Sequence, residues 1–158
     1  MHTDQSGRFP ATSSEGNKYI LVLVEVGGIY VDAEPMKNKS TGEMIKAYHT
    51  LWTVKPMTPI MDNKASEEYK KEIWKNCTIQ LVPPDNHRRN LAERAIQTFK
   101  NHFKTILAGV DNTFQMRLWD KLLPQTILTL NLLRQLNAVP TVSAYQYDNG
   151  NFDYNKIQ

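Results

Sequence analysis

Apolar residues fall into short runs in the first part of the chain, which is the pattern of strands. Residues 18–26 read Lys-Tyr-Ile-Leu-Val-Leu-Val-Glu-Val, and this continuous run predicts a central strand covered on both faces. Residues 29–36 alternate between apolar and polar side chains, which predicts a partly exposed antiparallel strand. Gly27 and Gly28 tolerate positive φ and predict a two-residue hairpin turn between the two strands. A short first strand is expected at residues 3–5.

A helical period replaces the strand pattern after residue 40. Ser40 and Glu43 have capping-box spacing and predict a helix start. The apolar stripe of this helix consists of Met44, Ala47, Tyr48 and Leu51. Further on, the pattern predicts two short strands, at 60–62 and 78–82, and a helix between them at 67–76. A long helix is expected from Asn86 or Asn90 to about Leu107. The last helix is expected at 114–136, with a kink at Pro124.

The order of these elements indicates an α/β fold. A hairpin meander comes first, and strands alternating with helices follow it. Strands that follow a helix are expected to run parallel, through right-handed crossovers. We therefore predict a mixed five-stranded sheet, with three antiparallel and then two parallel strands, flanked by helices. Residues 1–140 are expected to form this domain, and residues 141–158 a partly irregular C-terminal extension.

Composition agrees with one globular domain. The chain has 158 residues, of which 41% are hydrophobic and 22% charged. No apolar run approaches the roughly 18 residues that a membrane span needs. Cys77 is the one cysteine and has no partner for an internal disulfide, which favours a reducing, intracellular compartment.

Positive charge is concentrated in one segment. The net charge is +3, and five of the 19 Lys and Arg residues lie between residues 86 and 105, against a single carboxylate, Glu93. An anionic partner should therefore bind there. On a helix, Glu93 shares a stripe with Arg89, Gln97, Lys100 and Lys104, opposite an apolar face. His87, Arg88 and Arg89 stand at the expected helix start, where free N–H groups also attract anions.

Three carboxylates are expected to converge. Asp4 lies on the first strand and Asp62 closes the fourth, so both emerge at one end of the sheet if these strands are parallel neighbours. Strand 78–82 would bring the start of the Glu93 helix back beside them. At about 4 Å and an effective dielectric constant near 20, each pair repels by about 4 kcal/mol, which a divalent cation would offset. Oxygen ligands favour Mg²⁺ or Mn²⁺.

The segments around these carboxylates resemble a known family. Asp4-Gln-Ser-Gly-Arg-Phe-Pro, Ile60-Met-Asp-Asn and His87-Arg-Arg-Asn-Leu-Ala-Glu-Arg are similar to segments of the catalytic core of retrovirus-type integrases, above all those of copia-type long-terminal-repeat retrotransposons. Leu122-Leu-Pro-Gln-Thr and Leu130-Asn-Leu-Leu-Arg extend the similarity, which covers about residues 3–155.

This resemblance implies an RNase H-like fold and a magnesium-dependent polynucleotidyl transferase, which trims the 3′ ends of element DNA and joins them to target DNA. It implies that Asp4, Asp62 and Glu93 are the catalytic triad and hold two Mg²⁺ or Mn²⁺ ions. It also implies double-stranded DNA as partner, a homo-oligomer, and a nuclear or virus-like-particle location in a eukaryotic host. The residues expected to bind DNA are His87, Arg88, Arg89, Gln97, Lys100 and Lys104, of which Lys100 resembles the family lysine that touches the DNA end.

The sequence departs from the family pattern in three places. Thirty residues separate Asp62 from Glu93, fewer than is usual. Lys64 puts a cation next to the expected metal site. The sequence begins three residues before Asp4 without the family's zinc-binding domain, which predicts an N-terminally truncated core. Two alternatives therefore stay open: a catalytically decayed remnant that binds DNA or a partner chain, and an RNase H-type nuclease.

Overall fold

The structure is a computed structural model that describes residues 2–25, 30–52, 60–61, 67–74, 80–81, 87–136 and 139–156. None of the described helices is long and apolar enough to cross a membrane. The strands are β1 (His2–Gln5), β2 (Tyr19–Val24), β3 (Val31–Met36), β4 (Ile60–Met61) and β5 (Gln80–Leu81). The α-helices are α1 (Thr41–Trp52), α2 (Glu67–Trp74), α3 (His87–Gly109), α4 (Leu123–Leu133) and α5 (Ala144–Asn149), with 3₁₀ helices at Met116–Leu122 and Tyr154–Lys156.

Strand β2 is the centre of an antiparallel sheet with the order β1-β2-β3. Asp4 of β1 pairs with Val22, and Val22 pairs with Ala33 of β3. Alternate residues of β2 enter two separate cores: Ile20 and Val22 pack towards α3 and α4, whereas Leu21 packs towards α1. The predicted central strand, covered on both faces, is confirmed. The predicted turn residues, Gly27 and Gly28, lie outside the described residues.

Strands β4 and β5 pair in parallel, Ile60 with Gln80 and Met61 with Leu81. Strand β4 also lies against β1. The described residues form a three-stranded and a two-stranded sheet, with no hydrogen-bonded pairing between the two within the described part of the chain. The antiparallel and parallel parts of the predicted mixed sheet are therefore both present, but the single five-stranded sheet is not confirmed.

Helix α1 begins as its capping signal predicts. The Glu43 N–H donates to Ser40 Oγ at 3.3 Å and the Met44 N–H to the Ser40 carbonyl at 3.0 Å. Ala47, Tyr48 and Leu51 are buried against the sheet, and Met44 packs beside them. Burial of each large apolar side chain stabilises the fold by about 1.5–3 kcal/mol.

Helix α3 packs on the opposite face of the sheet. Its buried residues are Ala95, Ile96, Phe99 and Phe103, as the three- and four-residue spacing predicts. Glu93, Gln97 and Lys104 are exposed on the other side. The two faces of this helix are therefore confirmed over the turns whose side chains the structure describes.

The prediction of one kinked helix over residues 114–136 was wrong. A 3₁₀ helix with a non-helical Leu118 (φ −100°, ψ 15°) precedes α4, and Pro124 stands in the first turn of α4. Proline at that position removes no intrahelical hydrogen bond, so it starts a helix rather than bending one. Asn131 of α4 then bonds to the backbone of Val31, which fixes α4 on the edge strand β3.

A short helix follows where the sequence pattern fades. Helix α5 begins at a reciprocal capping box in which Ser143 Oγ accepts from the Gln146 N–H and the Gln146 side chain accepts from the Ser143 N–H. The Ala144 N–H donates to the Arg134 carbonyl at 2.7 Å, which ties α5 to the end of α4. The division between a domain at 1–140 and an extension at 141–158 stays a prediction.

Candidate active site

Strand β1 and helix α3 meet at an ion pair. Lys100 Nζ donates to Asp4 Oδ2 at 2.7 Å, and the Asp4 side chain is 50% exposed, that of Lys100 28%. An ion pair as exposed as this stabilises a fold by at most about 1 kcal/mol. The first predicted catalytic carboxylate therefore lies directly beside the helix that carries the third.

Glu93 lies on the same side of α3 as Lys100. Lys100 follows Glu93 by seven positions, which is about two helical turns, or roughly 10.5 Å along the axis. Glu93 is exposed. The exposed face of α3 therefore carries Glu93, Gln97, Lys100 and Lys104 in succession, beginning with a carboxylate and ending with two cations.

Asp62, the second predicted member of the triad, lies outside the described residues. The strand before it, β4, lies against β1, which carries Asp4. Within the described residues, no three His, Cys, Asp or Glu side chains form a group that could hold a metal. The three-carboxylate metal site therefore stays a prediction.

The structure describes the side chains of only some of the predicted DNA-binding residues. His87, Arg88 and Arg89 occupy the first turn of α3, but their side chains lie outside the described part of the chain. Gln97 Nε2 donates to Asn101 Oδ1 at 2.9 Å along the helix surface. Lys104 is exposed one turn beyond Lys100.

The loop after β1 is held tightly to the sheet and to the Met116–Leu122 helix. Ser6 Oγ accepts from the Ile20 N–H at 2.8 Å, and Trp119 Nε1 donates to the Ala11 carbonyl at 3.0 Å. Phe9 stacks on Trp119, with ring centroids 4.2 Å apart and planes at 8°. These contacts fix the loop that follows directly on β1, the strand that carries Asp4. Sequence reasoning missed Phe9, because a loop residue has no period that reveals its partner.

Two groups at the far edge of the sheet have raised pKa values. Burial, together with the charges of Asp32 and Asp148, raises the pKa of Tyr30 to about 12. Burial, and then the charge of Asp32, raises the pKa of Glu34. Both lie at or beside β3, at the edge of the sheet opposite to β1. The cluster therefore belongs to the packing around β3 and not to the Asp4 site.

Comparison with solved structures identifies the architecture. The chain superposes on the crystal structure of the catalytic core domain of BIV integrase with a TM-score of 0.68 and 16% sequence identity, over 93% of this chain and 91% of that one. The chain has the fold of a retroviral integrase catalytic core. The RNase H-like fold implied by the sequence resemblance is thereby confirmed.

The integrase-core fold is also found in a larger assembly. A chain of the simian T-cell lymphotropic virus intasome in complex with PP2A regulatory subunit B56 gamma, determined by cryo-electron microscopy, matches with a TM-score of 0.70 and 19% identity. The match covers 94% of the present chain and 53% of that chain, so this sequence spans about half of its length. No protein-family model and no curated protein matches the sequence. The particular similarity to integrases of copia-type retrotransposons stays a prediction.

Proposed function

We propose that this chain is the catalytic core of a retrotransposon integrase, a metal-dependent polynucleotidyl transferase that processes 3′ ends and transfers DNA strands. The observation that carries the proposal is the contact between Asp4 and Lys100 within an integrase-core fold. It joins the strand of the first proposed catalytic carboxylate to the helix of Glu93. The sequence contexts of Asp4, Asp62 and Glu93 support the same assignment.

The chemistry of the proposed ligands fits a hard divalent cation. Asp4 and Glu93 offer carboxylate oxygens at or near solvent, and Asp62 would add a third carboxylate. The Asp4 carboxylate accepts a bond from the Lys100 ammonium, which a bound divalent cation would replace. When bound, a pair of Mg²⁺ or Mn²⁺ ions would activate the attacking hydroxyl and stabilise the leaving oxygen.

The exposed face of α3 would hold the DNA backbone. Lys100 and Lys104 are four residues apart, which is about 6 Å along the helix. Ammonium groups bind phosphates as point charges, and the counterions released from DNA favour the complex. Gln97 would add a neutral donor between Glu93 and Lys100. These contacts would orient double-stranded DNA without reading its sequence.

Element ends and target DNA are the proposed substrates, and a second copy of the chain is a proposed partner. The nucleus or a virus-like particle of a eukaryotic host is the proposed place of action. All three proposals follow from the sequence resemblance together with the fold.

Assays with labelled duplex DNA test the proposal. We expect end trimming and strand joining in Mg²⁺ or Mn²⁺, and we expect Asp4→Asn, Asp62→Asn and Glu93→Gln each to remove both. Glu68→Gln, which changes an exposed carboxylate in the first turn of α2, should keep full activity as the matched control.

Two outcomes would replace the proposal. Binding of DNA that is equal with and without Mg²⁺, with no product, would identify a non-catalytic DNA-binding remnant. Cleavage of the RNA strand of a hybrid, without joining of DNA ends, would identify an RNase H-type nuclease.

A further inference from the structure

A cavity of about 530 Å³ opens between the loop after β1, strand β2, helix α3 and the Met116–Leu122 helix. Most of its lining is apolar and includes Phe9, Ile20, Leu107 and Met116. The volume falls within the range of roughly 300–1,000 Å³ that is typical of ligand pockets. The cavity can therefore receive a small organic group.

One aromatic ring in the cavity wall can be reached by a ligand. Phe99, Phe103 and Trp119 are buried, whereas Phe9 is half-buried. The Phe9 ring is held by the stack on Trp119 and by Phe103, whose centroid is 5.7 Å away. Met116 beside it is 47% exposed. A flat apolar group can thus contact a ring that is already fixed in place.

Cations line the same cavity. Arg8, Lys100 and Lys104 take part in its lining, and none of the described lining residues is acidic. Arg8 and Lys104 are exposed. A fitting ligand therefore combines a flat apolar body with an anionic group. Lys100 also bonds to Asp4, so the cavity adjoins the proposed catalytic carboxylate.

We propose that this cavity holds an unpaired nucleotide at the end of a DNA duplex. Its base would lie against Phe9 and Met116, and its phosphate would contact Arg8 and Lys104. Base stacking on aromatic side chains is tolerant of sequence, and an unpaired base avoids the cost of opening a base pair. The inference rests on the proposed function, since it takes DNA as the ligand of the neighbouring site.

Binding measurements without divalent metal test the cavity apart from catalysis. Fluorescence anisotropy would compare a duplex that has a one-nucleotide overhang with the same duplex whose overhang is abasic. We expect the base to tighten binding by about 5- to 150-fold, the range typical of stacking one base. Met116→Glu introduces a carboxylate at an exposed position of the lining and should reduce this ratio to about one. Lys46→Gln makes the same change in charge on α1, where the side chain is 79% exposed, and should keep the wild-type ratio.

The two proposals fail in different ways. Equal affinity of the wild-type chain for both duplexes, or an unchanged ratio in Met116→Glu, would overturn the cavity assignment while DNA binding itself stands. The absence of any DNA binding would overturn the proposed function as well.

Photocrosslinking locates the base directly. An overhang that carries 5-iodouracil should form adducts on Phe9 or Met116, and adducts confined to other segments would overturn the assignment. A free deoxynucleoside monophosphate that binds as tightly as the overhang duplex would also overturn it, because the site would then recognise a nucleotide and not a DNA end.

Discussion

Asn131 links α4 to the sheet, and its replacement should destabilise the whole fold. The side chain is fully buried, at 0% exposure. Its Oδ1 accepts from the Val31 N–H at 2.9 Å, and its Nδ2 donates to the Val31 carbonyl at 2.7 Å. Val31 lies on β3, the edge strand, and is itself buried. Among the described strands, none pairs with this side of β3, and the Asn131 amide supplies the two hydrogen bonds there.

Asn131→Ala should lower the free energy of unfolding because it leaves two buried backbone groups without a hydrogen-bond partner. The Val31 N–H and C=O would both lose their partner in a buried place, at about 1–3 kcal/mol each. A free energy of unfolding lower by about 2–6 kcal/mol follows, with the lower end expected if water enters the vacated volume. For a domain of this size, this corresponds to a fall in Tm of roughly 4–24 °C.

Urea denaturation followed by circular dichroism measures the change. Asn101→Ala, at an exposed asparagine on α3, is the matched control and should stay within about 0.5 kcal/mol of the wild type. A loss at Asn131→Ala no larger than at Asn101→Ala would refute the reasoning, because the two hydrogen bonds would then contribute nothing measurable.

Asn131→Asp keeps an acceptor oxygen for the Val31 N–H, but its side chain can donate to the Val31 carbonyl only when it is protonated. Burial raises the pKa of a carboxyl group, so the folded form of this variant would hold its proton more tightly than the unfolded form. Its stability relative to Asn131→Ala should therefore be greatest at pH values below the unfolded pKa of about 3.9, where the protonated group can still donate to Val31, and should fall as the pH rises. A pH-independent difference would contradict the bonding described.

Three further predictions concern other parts of the fold. Asp4→Asn should change the free energy of unfolding by less than about 1 kcal/mol, because the ion pair is half exposed, and it should abolish end processing. A large loss of stability in urea denaturation would instead show that the pair supports the fold. Ser143→Ala should cost about 0.5–2 kcal/mol and speed amide hydrogen exchange in α5 above all, because it removes one half of the capping box; unchanged exchange there would argue against the cap. Glu34 has a raised pKa in the folded state, so its contribution to stability is lost as the pH rises through that pKa; Glu34→Gln should flatten this dependence, and an NMR titration that finds no upward shift would contradict it.

Local signals in the sequence were sufficient for most elements. The apolar run of β2, the alternation of β3, the cap at Ser40 and the two faces of α3 each reflect a pattern within a few residues. The helix prediction at Pro124 was wrong because a proline in the first turn of α4 starts a helix and does not bend one. Helix α5 was missed although Ser143 and Gln146 have capping-box spacing, because six residues are too few to show a period.

The contacts that position the site were beyond local reasoning. Phe9 meets Trp119 across 110 residues, and Asn17 Nδ2 donates to Asp120 Oδ2 at 2.9 Å across 103. Neither pair has a spacing that marks it in the sequence. Lys100 was predicted to contact DNA, and no pattern indicated that its ammonium would bond to Asp4.

Burial, and not charge, brings Asp4 to α3. The ion pair stabilises by at most about 1 kcal/mol, too little to hold a strand against a helix. Phe99 and Phe103 flank Lys100 in the sequence and are buried in one core with Ile20 and Val22 of β2, the strand that pairs with β1. Because the fold does not depend on its bond to Asp4, Lys100 can exchange that carboxylate for a phosphate while α3 stays in place. The proposed contact of Lys100 with DNA beside Asp4 requires this independence.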